Sequence, residues 1–265
     1  MISLLVLGAA MFFGGWGRDR QTFDRSAAQA QSSMLLLAAA ALVMPAIYEL
    51  VDGRGLPAPG SERVHYDSTV EGLSAAVACV LIVSYIAGLW FSLRTHRDLF
   101  NPQAEPDDAE HEPWTVRKSV LALAIAGVAV GGMSEILVDS ISDAASKLGL
   151  SEFFIGVIVV AIVGNAAEHW VAVLVALKNK MDLAVNIAIG SSAQIALFVA
   201  PVLVLVSFVL GPHPMALVFN GFELGGILLA IIIANHVTSE GESTWYEGLQ
   251  LLAVYVVLGI AFFVA

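Results

Sequence analysis

"GNAAEHWVAVLVALKNKMDLAVNIAIGSSAQIALFVAP", residues 164–201, sets Asn165, Glu168, His169, Ser191, Ser192 and Gln194 within two long apolar runs. Only the short polar connection "KNKMD", residues 178–182, separates the runs. Which solvent those runs meet decides the fold.

Composition answers that. Of 265 residues, 58% are hydrophobic and 13% charged, with a mean hydropathy of +0.83. Soluble domains carry about 25% charged residues. The chain therefore reads as an all-α integral membrane protein. Membrane strands are excluded because the runs are continuously apolar, whereas a barrel strand alternates. At roughly 17 to 25 residues per crossing, about eight transmembrane helices are expected, near 1–15, 33–50, 68–93, 115–141, 152–177, 183–210, 215–237 and 245–265. The first is shorter than a comfortable span. It is not a signal peptide, because Arg18, Arg20 and Arg25 follow the apolar run instead of preceding it. The lone cysteine, Cys79, lies within a span and reads as a small buried packing residue.

Basic residues give the orientation. Arg18, Arg20, Arg25, Arg94, Arg97, Arg117, Lys118, Lys178 and Lys180 fall on one side, against Arg54, Arg63 and Lys147 on the other. The richer side is cytoplasmic by the positive-inside rule, which leaves both ends of the chain outside. A net charge of −11 argues against a nucleic-acid partner.

Glu168 lies ten residues before Lys178, so roughly 15 Å below the surface of a hydrocarbon core about 30 Å thick. Asn165, three residues earlier, shares its face on a continuous helix. On the next run Ser191 and Gln194 share a face, and Gln194 lies roughly 18 Å beyond Asp182. Four oxygen-bearing side chains thus converge at one depth. Gly190 and Pro201 mark where the second helix is expected to break or kink. A midplane charge costs about 2.5 to 3.5 kcal/mol on insertion scales, and its retention marks function.

The donor set is all oxygen with one formal charge, which suits a hard cation such as Ca²⁺, Na⁺ or Mg²⁺ over zinc or copper. Asn165, Glu168, Ser191 and Gln194 supply up to five oxygens, about half of what calcium takes with its usual second carboxylate. His169 sits about 100° around the helix from Glu168 and is either a hydrogen-bonded structural imidazole or a proton handler. Glu135 and Glu223 fall inside spans and either line a proton or cation path or face a polar vestibule. No HExxH or GxSxG motif supports an enzyme, and no cofactor is expected.

The stretch "GNAAEHWVAVLVALKNKMDLAVNIAIGSSAQIALFVAPVLVL", with "SEILVDSISDAASKLGLSEFFIGVIVVAIVGN" before it and "NGFELGGILLA" and "WYEGLQLLAVYVVLGIAFF" after it, resembles the second α-repeat of the calcium/proton exchangers, within the calcium/cation antiporter superfamily. That resemblance implies an inverted-repeat fold of eleven helices. It also implies a central Ca²⁺ site with a glutamate from each repeat, here Glu168, accompanied by Asn165, Ser191 and Gln194. Members begin with about three further helices, including a first α-repeat whose GNxxE motif supplies the other glutamate; no such motif precedes residue 164. The opening "MISLLVLGAAMFFGG" resembles the tail of the broken helix that closes that repeat. The expected organisation is residues 1–97 as the tail of the first repeat half, 98–114 as an acidic cytoplasmic linker, and 115–265 as the second repeat half.

The function implied is Ca²⁺/H⁺ antiport by competition at a carboxylate pair, with helix bundles rocking to alternate access. The partners are Ca²⁺, protons, the lipid bilayer, and a missing first α-repeat or second subunit that brings the other glutamate. A Na⁺-coupled exchanger and a non-transporting half-transporter are the alternatives. Short loops and abundant alanine suggest a bacterial cytoplasmic membrane. The segment "NPQAEPDDAEHEPW" reads as a solvated linker.

Overall fold

The computed structural model describes residues 1–59, 67–96, 114–210 and 213–265, excluding the side chains of 142–146 and 148. The acidic linker, apart from Trp114, lies outside the described residues. Described helices are α1 (Ile2–Gly15), α2 (Arg25–Val51), α3 (Ser68–Thr95), α4 (Val116–Leu148), α5 (Glu152–Gly164), α6 (Ala166–Leu177), α7 (Met181–Leu210), α8 (Gly221–Thr238) and α9 (Trp245–Val264). Among the described residues six helices are long and apolar enough to cross a membrane, or up to seven if α5 and α6 count as one bent span. The expectation of about eight is corrected at α1, whose 14 residues reach only about 21 Å at 1.5 Å per residue.

Sequence sets these limits through local caps. Asp24 accepts from the Ala27 N–H at 2.8 Å at the start of α2, and Ser151 accepts from Phe154 at the start of α5. Reciprocal capping boxes, Asn220 with Glu223 and Thr244 with Glu247, open α8 and α9. Each retires backbone donors that a bilayer cannot satisfy.

Short as it is, α1 is the centre of the bundle. Leu4, Leu7, Ala10 and Met11 are wholly buried between α9 on one side and α6 and α7 on the other. Approach to α9 is backbone to backbone. A Cβ at Gly248 would strike the Phe12 nitrogen and lie 2.8 Å from the Gly8 carbonyl oxygen. Further out, α2 packs on α7 and α8 through alanines such as Ala38 and Ala46, as helices do when lipid gives no hydrophobic drive and close contact must supply the attraction. Along α3 the buried stripe is Val70, Ser74, Ala78 and Leu81. Cys79 lies one residue off that stripe and is exposed, which corrects the buried reading.

At one end of the bundle three polar connections lock together. The Arg18 guanidinium donates to the carbonyls of Gly14, Ala176 and Leu177, the last at 2.9 Å, and so caps α1 and α6 at their negative ends. The Asp24 N–H donates to Asp182 at 2.5 Å. Arg20 pairs with Glu242 at 2.7 Å beside a two-residue antiparallel pairing of β1 (Gln21–Thr22) with β2 (Glu242–Ser243). These connections carry Arg18, Arg20, Lys178 and Lys180, residues that charge counting alone assigned to one face. Near the other end Asp67 caps α3 by accepting from the Thr69 N–H at 2.7 Å, and it also pairs with Arg54.

Two predictions follow from packing and capping. Gly248→Ala is expected to cost about 1 to 3 kcal/mol by overpacking, read as a lowered unfolding midpoint in detergent; Gly259→Ala, where a Cβ meets nothing within 4 Å, should leave it unchanged. The Thr69 N–H, and then Arg54, hold the Asp67 carboxyl below its usual range. Its folded value is depressed, so its contribution is present above the unfolded value and lost as pH falls through the folded one. Asp67→Asn should therefore lower the midpoint at neutral pH and converge on the parent in acid.

Candidate functional site

The site is built around a broken helix. Gly164 ends α5, Asn165 adopts φ −109° and ψ 14°, and α6 leaves at 54° to α5. At the break the Asn165 N–H donates to the Val163 carbonyl instead of continuing the regular helical ladder. Asn165 Nδ2 turns back to donate to the Ala161 carbonyl at 3.0 Å. Glu168 follows in the first turn of α6, where the positive end of the helix dipole favours a carboxylate.

The second strand of the site is α7, which a tight turn joins to α6; Asn179 takes a left-handed φ of 60° within it. Ser191 Oγ donates to Glu168 Oε2 at 2.5 Å. Gln194 stands beside them on the wall of a cavity of about 490 Å³, together with Gln31 of α2, Asn186 and Gly190. Among the described residues Glu168 is the only carboxylate on that wall. Glu168 and Gln194 are exposed while Ser191 is half-buried, so the oxygen set presents an open side.

Three of the four expected ligands are thus brought together, and Asn165 is not among them. Asn165 lines a separate cavity of about 350 Å³ with Ala161 and Ser192. The three-residue spacing put Asn165 and Glu168 on one face only if the helix ran through, and the break at Asn165 removes that condition. The expected break at Gly190 or Pro201 is also corrected. Helix α7 continues past Gly190 and takes a π-turn at Ile195–Val199 just before Pro201, which lacks the N–H that a regular turn would use.

The other candidates scatter. His169 is half-buried, and its Nε2 is enclosed with no hydrogen-bond partner among the described residues. Glu135 is exposed on α4. Glu223 was expected well inside a span; α8 begins only at Gly221, and the carboxylate accepts from the Asn220 N–H at 2.8 Å as part of the cap. Sequence reading missed Gln31 and Asn186. For Asn186 the signal was available: it precedes Gly190 and Gln194 at successive four-residue steps and so shares their face. Nothing local announces Gln31, which reaches the site through the packing of α2 on α7.

Chemically the cavity offers two carboxylate oxygens, a hydroxyl and neutral amides, a hard-cation donor set that also contains a group able to take a proton. The sodium/calcium exchanger protein family matches residues 118–264. The Ca²⁺/H⁺ antiporter of Synechocystis sp. (strain ATCC 27184 / PCC 6803 / Kazusa) is 42% identical over 98% of this chain and 71% of its own length. The Ca²⁺/H⁺ antiporter ChaA of Bacillus subtilis (strain 168) is 40% identical over 98% and 71%. A solved structure of native YfkE superposes with a TM-score of 0.78 at 36% identity, covering 99% of this chain and 72% of that one. The chain belongs to the sodium/calcium exchanger protein family, within the calcium/cation antiporter superfamily.

Proposed function

We propose that this chain carries out secondary active Ca²⁺/H⁺ antiport, with Glu168 as the group for which cation and proton compete. The observation that supports this most directly is the Ser191–Glu168 contact across two helices on a cavity wall otherwise made of amides and apolar groups. Relatives at 40% identity and above carry the Ca²⁺/H⁺ antiporter name.

On this reading Glu168, Ser191 and Gln194 give four side-chain oxygens to Ca²⁺. Asn165 acts from the hinge, adding its carbonyl oxygen as the bend changes between inward and outward states. Calcium takes six to eight oxygens and commonly more than one carboxylate. We assign the second carboxylate to a first α-repeat or to a second subunit, seated on the open side of Glu168. His169 and Glu135 remain candidates for proton movement, and Glu223 for a structural role at the mouth of α8. Two carboxylates that must be protonated to release one Ca²⁺ would couple at least two protons to each calcium. The organisation into two repeat halves, 1–97 and 115–265, joined by an acidic cytoplasmic linker at 98–114, fits this cycle, and a bacterial cytoplasmic membrane is the setting we infer from the short connections and alanine-rich spans.

The test is Ca²⁺ uptake under an imposed pH gradient, in proteoliposomes that hold this chain with whatever segment supplies the second carboxylate. Glu168→Gln is expected to abolish uptake, and a Na⁺ gradient at clamped pH should drive none. Uptake retained in Glu168→Gln would sink the proposal, and Na⁺-driven uptake would reassign the coupling ion. Ser191→Ala should weaken Ca²⁺ binding roughly tenfold, about 1.4 kcal/mol, with the coupling to protons kept; isothermal titration reads this directly.

A further inference from the structure

Two cavities share a wall. The Glu168 cavity and a second of about 240 Å³ share Gln31, Asn186, Gly190 and Gln194. The second continues along α3 past Tyr85 and Ser92 toward the end of that helix which carries Arg94. Gln31 lies six residues into α2 and Asn186 five into α7, so both sit roughly 8 to 9 Å below the cytoplasmic helix ends, against roughly 15 Å for Glu168. The pair therefore stands between the cytoplasmic mouth and the carboxylate.

Its geometry is that of a bar across a passage. Gln31 Nε2 donates to Asn186 Oδ1. A Cβ added at Gly190 would stand 3.8 Å from both terminal atoms of the Gln31 amide, so the amide extends over the one position on that turn of α7 with no side chain. Gln31 Oε1 is buried and accepts no hydrogen bond among the described residues. Buried carbonyl oxygens normally find a donor; this one has none among the described residues while the pair is closed, on a residue that lines both cavities.

We propose that Gln31 and Asn186 form the cytoplasmic gate of the Glu168 cavity, and that the Gln31 carbonyl oxygen, freed when the pair parts, is a ligand for a divalent cation passing from the outer cavity to the inner one. The identity of the cation rests on the antiport reading above, whereas the gate rests on the shared wall alone. A neutral amide is suited to such a place. It replaces one water of a hard cation, yet holds it weakly enough to pass it on, the balance that conduction through successive sites requires. A carboxylate there would compete with Glu168.

The experiment labels cysteines from the cytoplasmic side in inside-out vesicles of the assembled transporter, in a Cys79→Ala background, with a membrane-impermeant cationic thiol reagent. Ala167→Cys reports the inner cavity, because Ala167 lines it and not the outer one, and Ser92→Cys reports the outer cavity. Gln31→Ala and Asn186→Ala are each expected to speed labelling at position 167 about tenfold and leave position 92 unchanged. Unchanged labelling at 167 overturns the gate, and so does an equal rise at both positions, which would mean general loosening. Added Ca²⁺ should slow labelling at 167 with Gln31 present and lose most of that effect in Gln31→Ala; equal slowing in both overturns the ligand role. Ca²⁺ flux in the Cys79→Ala parent is measured alongside. A parent that moves no Ca²⁺ against protons while its labelling still responds to Gln31→Ala would remove the antiport reading and leave the gate standing.

Discussion

On the proposed reading, a carboxylate roughly 15 Å inside a bilayer is the constraint on which the rest of this architecture depends. Glu168 cannot be solvated by lipid, so the chain must bring polar groups to it from neighbouring helices and keep the backbone around it satisfied. The break at Asn165 contributes by placing Glu168 in the opening turn of α6, the positive end of the helix dipole. The tight turn through Asn179 contributes by returning α7 alongside so that Ser191 can donate to the carboxylate. A continuous helix through residues 152–177 would not have supplied the dipole end.

Such a broken element has to be held by something stiff, and the bundle supplies it at one end. Arg18 joins the last carbonyls of α1 and α6, while the Asp24–Asp182 contact and the Arg20–Glu242 pair tie the starts of α2 and α7 and the approach to α9 to the same end. Through these contacts the short helix α1, buried against α6 and α9, fixes the outer part of α6 while its inner end bends. Rigidity at the connections and a hinge at the midplane are the combination that alternating access needs.

Much of this was legible in the chain, for identifiable reasons. The long apolar runs, and the gathering of Arg18, Arg20, Lys178 and Lys180 at one end of the bundle, follow from span length and charge counting. They needed no tertiary information. The face shared by Ser191 and Gln194 was legible because α7 stays helical between them. What failed were inferences that assumed helical continuity or a boundary. Asn165 left the face because the break falls on it, not at Gly190 or Pro201. Glu223 moved to the rim because Asn220 caps α8 later than hydropathy suggested. Gln31 was illegible because its role comes from the crossing of α2 over α7, which no local pattern encodes.

If Glu168 is the exchange site proposed above, the Ser191–Glu168 contact also bears on how it would distinguish two cargoes. In the cation-free arrangement the hydroxyl donates and the carboxylate accepts at 2.5 Å. A cation lying between them needs lone pairs from both oxygens, so the Ser191 O–H must turn away and find another acceptor. A proton on Glu168 reverses the bond, because the carboxylic acid then donates and the hydroxyl accepts. Three states of one pair of atoms thus correspond to the empty, cation-loaded and proton-loaded site without movement of the helices that carry them. Exchange at such a pair is exclusive by chemistry, since the proton and the cation need the same lone pairs. Coupling then requires only that the empty charged state be too costly to carry across the closed bundle. A midplane carboxylate in a hydrocarbon setting meets that requirement.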